Sequence, residues 1–452
     1  MNPKTSSSSN AQKQDTSPAP TGLKAMAAVV GPAYFPVSAL ARLPLSMLVI
    51  GALTYIVSSA ADFTTAGAVA ALAGIGVAVG APLSGAASDR WGQRVTLLTS
   101  TVLYSAGLLW LLVAGAPREG GLTLDFQLMA AALVAGVVVP QAGPMTRVRW
   151  IIRLAGPGGD LKTLDAAQGY ESTVDEMSFV LGPAAVGIIA AAFGPAVPLW
   201  VALALTIVFV PWFALHSRSA LAAPVRRAKA GPAAEAGPAA EAGADSAPSD
   251  HAKQAAAARA AGVPWALIGV LLLGMLSIGS IFGSLATVAT VFADETGHPG
   301  SGGLIYATLG LTSGAAALSV SRWPQRWSPA RRWVACAIVL VPMLCLLWLA
   351  AVPWHFAVVL LLVGAPIGPV LVTIFSAAGA RTPSHRLGFV MTLLSAGITL
   401  GTSIGNWAGG MVADAGGHRD ALWVTFASGI ALLLFGILYA IASMKKASRQ
   451  GN

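Results

Sequence analysis

Twelve stretches of this chain stay apolar for about as long as a bilayer is thick. They run Pro36–Ala60, Thr65–Ala87, Val95–Ala116, Leu124–Met145, Glu171–Phe193 and Val197–Leu215. After a gap come Trp265–Phe292, Gly303–Val320, Trp333–Val352, Phe356–Ala378, Leu387–Val412 and Leu422–Ala442. About twenty apolar residues, rising ~1.5 Å each as a helix, cross a hydrocarbon core ~30 Å thick. Composition allows little else. The chain is 56% hydrophobic and 10% charged, whereas soluble domains carry roughly a quarter charged residues. The fold class is therefore all-α integral membrane with twelve transmembrane helices, and the lipid bilayer is its first partner.

The runs fall as six, a gap and six. This divides the chain into a disordered or interfacial tail (1–33), a first set of six helices (34–215), a flexible linker (216–264), a second set (265–443) and a short tail (444–452). Met1–Thr21 is rich in Ser, Pro and Gln and lacks an apolar segment behind a basic start, so it reads as a tail and not a cleaved signal peptide. In the gap, Gly231–Ala242 repeats GPAAEA, with too little apolar area to offset the entropy of ordering. Of the 27 Lys and Arg, only Arg118 and Arg419 fall on one side of the membrane and Arg42 lies inside the first run; the rest share the other side. The positive-inside rule then expects a multi-pass protein of the plasma (inner) membrane with both termini and the linker cytoplasmic. The net charge of +9 is thus a topology signal, and no nucleic-acid partner is expected. Cys336 and Cys345 share one apolar run and form no disulfide framework. The six histidines have no metal-ligand spacing and no phosphate-binding Gly-rich loop occurs. No catalytic residue, metal or cofactor is expected, and the chain does not read as an enzyme.

Between the second and third runs lies Gly85-Ala86-Ala87-Ser88-Asp89-Arg90-Trp91-Gly92-Gln93-Arg94. This resembles the loop motif of the major facilitator superfamily, roughly Gly-x-x-x-Asp-Arg-x-Gly-Arg-Arg/Lys. The resemblance implies two six-helix bundles related by a pseudo-two-fold axis, and a small-molecule substrate bound between them near the midplane. Helices one, four, seven and ten would line that cavity. Gly85, Asp89, Arg90, Gly92 and Arg94 would form a cytoplasmic gate, with Asp89 facing the N-terminus of the eleventh helix, where unsatisfied N–H groups favour an anion. Gly76 and Gly80 on the second run, and Gly397, Gly401 and Gly405 on the eleventh, make flat stripes for close helix contact. Contact between the bundles is the expected use of those stripes, with packing inside each bundle as the alternative. The motif departs from the family at Gln93, where a basic residue is usual, and Gly314–Arg322 in the second half holds no acidic residue.

Ionisable residues inside a membrane are costly and point to function. Arg42 lies inside the first run. Glu171, Asp175 and Glu176 open the fifth, with Glu171 at its interface and Asp175 on the same helical face one turn deeper. Arg42 is expected to pair with Asp175 or Glu176, either as a fixed strut or as a proton-linked switch. Arg147 and Arg149, at the end of the fourth run, read as topology determinants. Gly182, Pro183 and Gly187 are similar to the Gly-Pro stretch in the fifth helix of drug–proton antiporters, although the extended glycine pattern is absent. The leading expectation is a monomeric transporter that exports small amphipathic molecules in exchange for protons. A proton-coupled importer of a nutrient or metabolite is the alternative, followed by a membrane sensor or scaffold.

Overall fold

The computed structural model describes residues 23–60, 63–117, 125–154, 161–216, 263–298, 301–324 and 326–450. The expected linker lies almost wholly outside these. Within them are 12 helices long and apolar enough to cross a membrane: Tyr34–Ile56, Ala68–Trp91, Gln93–Ala114, Phe126–Leu154, Lys162–Phe193, Val197–Leu215, Trp265–Ala293, Gly302–Arg322, Pro329–Leu349, Pro353–Gly379, Ser384–Ala413 and Ala415–Met444. We number these the first to twelfth spans. The first six and the last six form two bundles, and no strand occurs among the described residues. The side carrying the 85–94 loop is called the near side, the opposite one the far side.

Three boundaries differ from the apolar runs. Residues expected in the N-terminal tail form a helix, Leu23–Val30, whose Met26 and Val30 are fully buried. The fourth span does not end at Met145. Its first segment, Phe126–Val138, breaks at Pro140, which has no N–H to continue the ladder, and a second, Ala142–Leu154, follows. Arg147 and Arg149 sit in this second segment, only 1% and 2% exposed, and so lie in a packed helix and not in a loop. A hydropathy run stops at such charges because it counts them as wet; here protein groups replace the water. The fifth helix starts at Leu161. Glu171 is therefore roughly 15 Å into the helix at ~1.5 Å per residue, and it is fully buried by the protein.

The glycine stripes pack inside the bundles, which corrects the expectation of contact between them. A Cβ on Gly76 or Gly80 would strike the fourth span at Leu133, Gly136 or Val137. Gly397, Gly401 and Gly405 meet Leu272, Met275, Leu276 and Ser280 of the seventh span, which answers with Gly279 and Gly283 against Ile398 and Thr402. Smooth faces of this kind serve helices that run side by side for their whole length, where dispersion and not the hydrophobic effect holds them together. Among the described residues the two bundles pack together toward one end, where no long stripe is needed.

Buried apolar side chains show this directly. One cluster runs through the second bundle and into the near-side half of the first, taking in Tyr34, Met145, Trp150 and Phe213. A second is confined to the far-side half of the first bundle, with Leu48, Val69, Tyr104, Leu128 and Leu199. The bundles share packing on the near side and part on the far side. At the far end of the second bundle, Gly416 and Gly417 separate the last two spans, and Gly417 takes φ +74°, which glycine adopts without a Cβ penalty. There Glu295 accepts from the His418 backbone N–H at 3.0 Å and meets the His418 ring. Burial pushes the Glu295 carboxyl up, but the hydrogen bonds from His418 outweigh it and hold the group below its ordinary value.

Candidate functional site

The near-side contact is built around Asp89, half-buried in the last turn of the second span. Its two carboxylate oxygens accept the backbone N–H of Gly388 at 2.7 Å and of Phe389 at 2.8 Å. These donors belong to the first turn of the helix that starts at Leu387, where no carbonyl of the helix itself can reach them. An ionised acceptor there gains both from charge-assisted hydrogen bonding and from the helix dipole. One turn earlier, Gly85 lies so close to Gly388 and Thr392 that a Cβ on it would strike both. Gly92 takes φ +89° between the second and third spans. Gln93 faces inward: its amide donates to the Met145 carbonyl at 3.1 Å and its oxygen accepts from Arg149 at 2.9 Å. Arg94 is exposed, and exposed Arg90 lies 5.7 Å from the Trp91 ring centre.

Further contacts join the bundles on this side. Thr173 Oγ1 is 2.9 Å from the Gly314 carbonyl and equally from that of Gly169. The Arg147 guanidinium stacks 3.8 Å from the centre of the Phe375 ring. Asp165 of the fifth span pairs with Arg332 of the ninth at 3.4 Å. In that pair the first bundle again supplies the acid, although the stretch Gly314–Arg322 holds none to mirror Asp89.

Deeper in the first bundle is a cluster of buried charges. Glu171, 0% exposed, pairs with Arg42. Its oxygens also accept from Thr146 and from the Trp150 indole, each at 2.6 Å. Asp175 accepts from Arg147 at 2.7 Å and stands 3.4 Å from Arg42. Arg147 also donates to the Gln168 side-chain oxygen at 3.0 Å. Arg42 thus pairs first with Glu171, which was not expected, and also with the expected Asp175 at 3.4 Å; the side chain of Glu176 lies outside the described residues. Removing one member of such a cluster strands a buried charge, at a cost of about 3–5 kcal/mol. The side chain of Asp175 is 26% exposed, so this carboxylate is the member that reaches open space.

That space is a cavity of about 50 Å³ whose wall includes Arg42, Gln141, Gly143, Asp175, Ser178 and Thr399. Its lining comes from the first, second, fourth, fifth and eleventh spans, with no residue of the seventh or tenth. Gly182 packs against Ser46 beside it, Pro183 lies inside the fifth span, and Gly187 faces open space.

A profile of the Major Facilitator Superfamily matches residues 34–393. The chain belongs to that superfamily. Solved structures of the superfamily fold agree. The human organic anion transporter MFSD10 (TETRAN) aligns at TM-score 0.65 and 16% identity, over 91% of this chain and 98% of that one. A bacterial homologue of the iron transporter ferroportin, outward-facing with soaked iron, aligns at TM-score 0.62 and 15% identity, over 90% and 98%. The E. coli fucose:proton symporter FucP aligns at TM-score 0.55 and 15% identity, over 89% and 98%. No curated protein sequence matches the chain significantly. As a superfamily member the chain is a multi-pass membrane transporter of small molecules.

Superfamily resemblance located the 85–94 loop but not the partners of the buried cluster. Thr146, Arg147, Trp150 and Gln168 were missed. A signal existed: Gly143, Thr146, Arg147 and Trp150 recur at i, i+3, i+4 and i+7, one face of a helix, once the segment is allowed to continue past Pro144.

Proposed function

We propose that this transporter exports small amphipathic molecules across the plasma (inner) membrane in exchange for protons, as a monomer with its near side in the cytoplasm. The observation that carries the proposal is Asp175, a carboxylate open to the cavity and held by Arg42 and Arg147. Exchange requires a proton and the substrate to take turns at one group. A proton on Asp175 removes the charge that anchors Arg147, and Arg147 in turn stacks on Phe375 of the opposite bundle. Loading the proton from the far side therefore loosens a near-side contact, and alternating access follows as the bundles rock. Asp89 acts as the latch that holds the near side shut until then. The Gly182-Pro183-Gly187 stretch supports the exporter reading over import.

The test is to reconstitute the protein in liposomes, impose a pH gradient and add lipophilic dyes and antibiotics. At least one should collapse the gradient, and Asp175→Asn should abolish the effect. A response to a sugar or amino acid, with none to any lipophilic compound, would overturn the exporter reading. Proton movement undiminished in Asp175→Asn would remove Asp175 from it.

A further inference from the structure

From Leu387 the eleventh span runs without a break to Gly416, and its residues divide among three faces. At about 100° per residue, Gly397, Gly401 and Gly405 fall on the face packed against the seventh span. Leu400, Ile404, Trp407 and Met411 share a second face, 40–67% exposed and wholly apolar, as contact with lipid favours. The third face begins at the near side with Gly388 and Thr392, which close on Gly85 of the second span. Ser395, Thr399, Asn406 and Gly410 fall in the same arc of about 60°, with Ser403 at its edge.

That arc passes from contact to cavity to open space. Ser395 and Thr399 line the cavity. Ser403 and Asn406, roughly 6 and 10 Å beyond Thr399 toward the far side at ~1.5 Å per residue, are exposed. A Cβ on Gly410 would meet nothing within 4 Å. Because the helix is unbroken, the face that grips the first bundle at Gly388 still points toward it at Asn406, where the bundles have parted. This exposure is toward the cleft and not toward lipid. The residue types agree, since polar groups aimed at hydrocarbon are costly. Thr399 and Ser403 donate to carbonyls of their own helix at 3.3 and 3.1 Å, and their oxygens keep acceptor capacity. Hydroxyls at Ser395, Thr399 and Ser403 rise about 6 Å from one to the next, a gap that one bridging water spans. Asn406 accepts from Thr287 of the seventh span at 3.2 Å, which leaves its amide N–H groups for water or a passing acceptor.

We infer that the route joining the cavity to the far side runs along this face of the eleventh span, wet at Ser395, Thr399 and Ser403, with Asn406 at its mouth. The seventh and tenth spans, which superfamily resemblance would place at the cavity, give it no lining residue. The seventh is instead engaged with the glycine face of the eleventh. The route ends at Asp175, which also lines the cavity. The charged groups facing Asp175 are Arg42, Arg147 and Glu171, all of the first bundle, while the second and eleventh spans present only uncharged residues there, including Val77, Ala81 and Thr399. What travels along the route, substrate outward and protons inward, rests on the exporter reading; the route itself does not.

Thiol labelling tests the route directly. In a Cys336→Ser, Cys345→Ser background, Thr399→Cys, Ser403→Cys and Asn406→Cys place a thiol along this face. Leu400→Cys, Ile404→Cys and Trp407→Cys place one toward lipid. A charged, membrane-impermeant methanethiosulfonate is added to right-side-out and to inside-out vesicles, with exposed Arg94→Cys marking the near side. The thiolate is the reacting species and an apolar setting disfavours it, so the first set should react about tenfold or more faster than the second. Ser403→Cys and Asn406→Cys should react from the far side only. A bulky label on Thr399→Cys should halt transport. Equal rates in the two sets, an unreactive first set, or reaction of Asn406→Cys from the near side would overturn the inference. Full transport by protein completely labelled at Thr399→Cys would do so too. If one of the three variants does not fold, the other two on the same face carry the comparison. Labelling needs no transport, so reactive thiols without gradient collapse would leave the route standing and remove the exporter reading. Gradient collapse with an unreactive face would do the reverse.

Discussion

Asp89 holds the near side through two backbone N–H groups, and no side chain of the opposite bundle takes part in those bonds. Asp89→Asn keeps the size of the residue but leaves one acceptor oxygen and no charge. Losing one charge-assisted hydrogen bond and the favourable dipole term is worth about 1–2 kcal/mol. The balance between closed and open near sides should move toward open by roughly 5–30-fold. Spin labels at the exposed positions Arg94 and Ser384 would read this as a longer near-side distance. An unchanged distance distribution would mean that Asp89 is not a latch. The motif was legible in the sequence because its residues are contiguous and its role is local. The partners of Arg42 were legible only in part, for Asp175 was expected and Glu171 was not. Depth counted from the first apolar residue of the fifth run missed the turns that precede Glu171, and this moved the pairing by a turn. Arg147 was hidden for a related reason: its partners lie one span away, and only their side chains make its burial tolerable.

Among the elements, the seventh and eleventh spans are locked by glycines from both sides. A side chain at Gly401 meets the backbone of Leu276, which cannot move aside as a flexible side chain would. Gly401→Val should destabilise the protein by about 1–3 kcal/mol, as overpacking does in well-packed cores. Gly410, on the same helix, has open space where a methyl group would go, with nothing within 4 Å. Gly410→Ala should therefore be neutral or gain up to ~1 kcal/mol from lost backbone freedom in the unfolded chain. Thermal unfolding in detergent compares the two. A similar loss for both would show that helix propensity, and not contact, governs these glycines. The stripes themselves were plain in the sequence, since a four-residue period on an apolar helix can only be one face. Which helix they face was not, because a period along one span carries no information about its neighbour.

For the whole molecule, the decisive feature is that one apolar cluster crosses between the bundles on the near side while the far-side half of the first bundle has a cluster of its own. Opening the near side must break Asp89 from Gly388, Thr173 from Gly314 and Asp165 from Arg332 together, since each bundle is packed as a body and interfaces of this kind switch between arrangements more readily than they stretch. This allows the motion itself to be tested. The Cβ of Thr173 lies 3.5 Å from the position a Cβ would take at Gly314, inside the ~3.5–4.5 Å range of disulfides. Thr173→Cys with Gly314→Cys, in a Cys345→Ser background, should form a bridge under mild oxidation without disturbing the closed near side. Transport should stop when the bridge forms and return on reduction, while each single variant stays active. Full transport by the bridged protein would exclude rocking of the bundles about this contact. The twelve spans and their division into six and six could be read from apolar length alone. The open side could not, because it depends on which of two packings of the same helices is the more stable, and that difference is the small remainder of many contacts that no single residue announces.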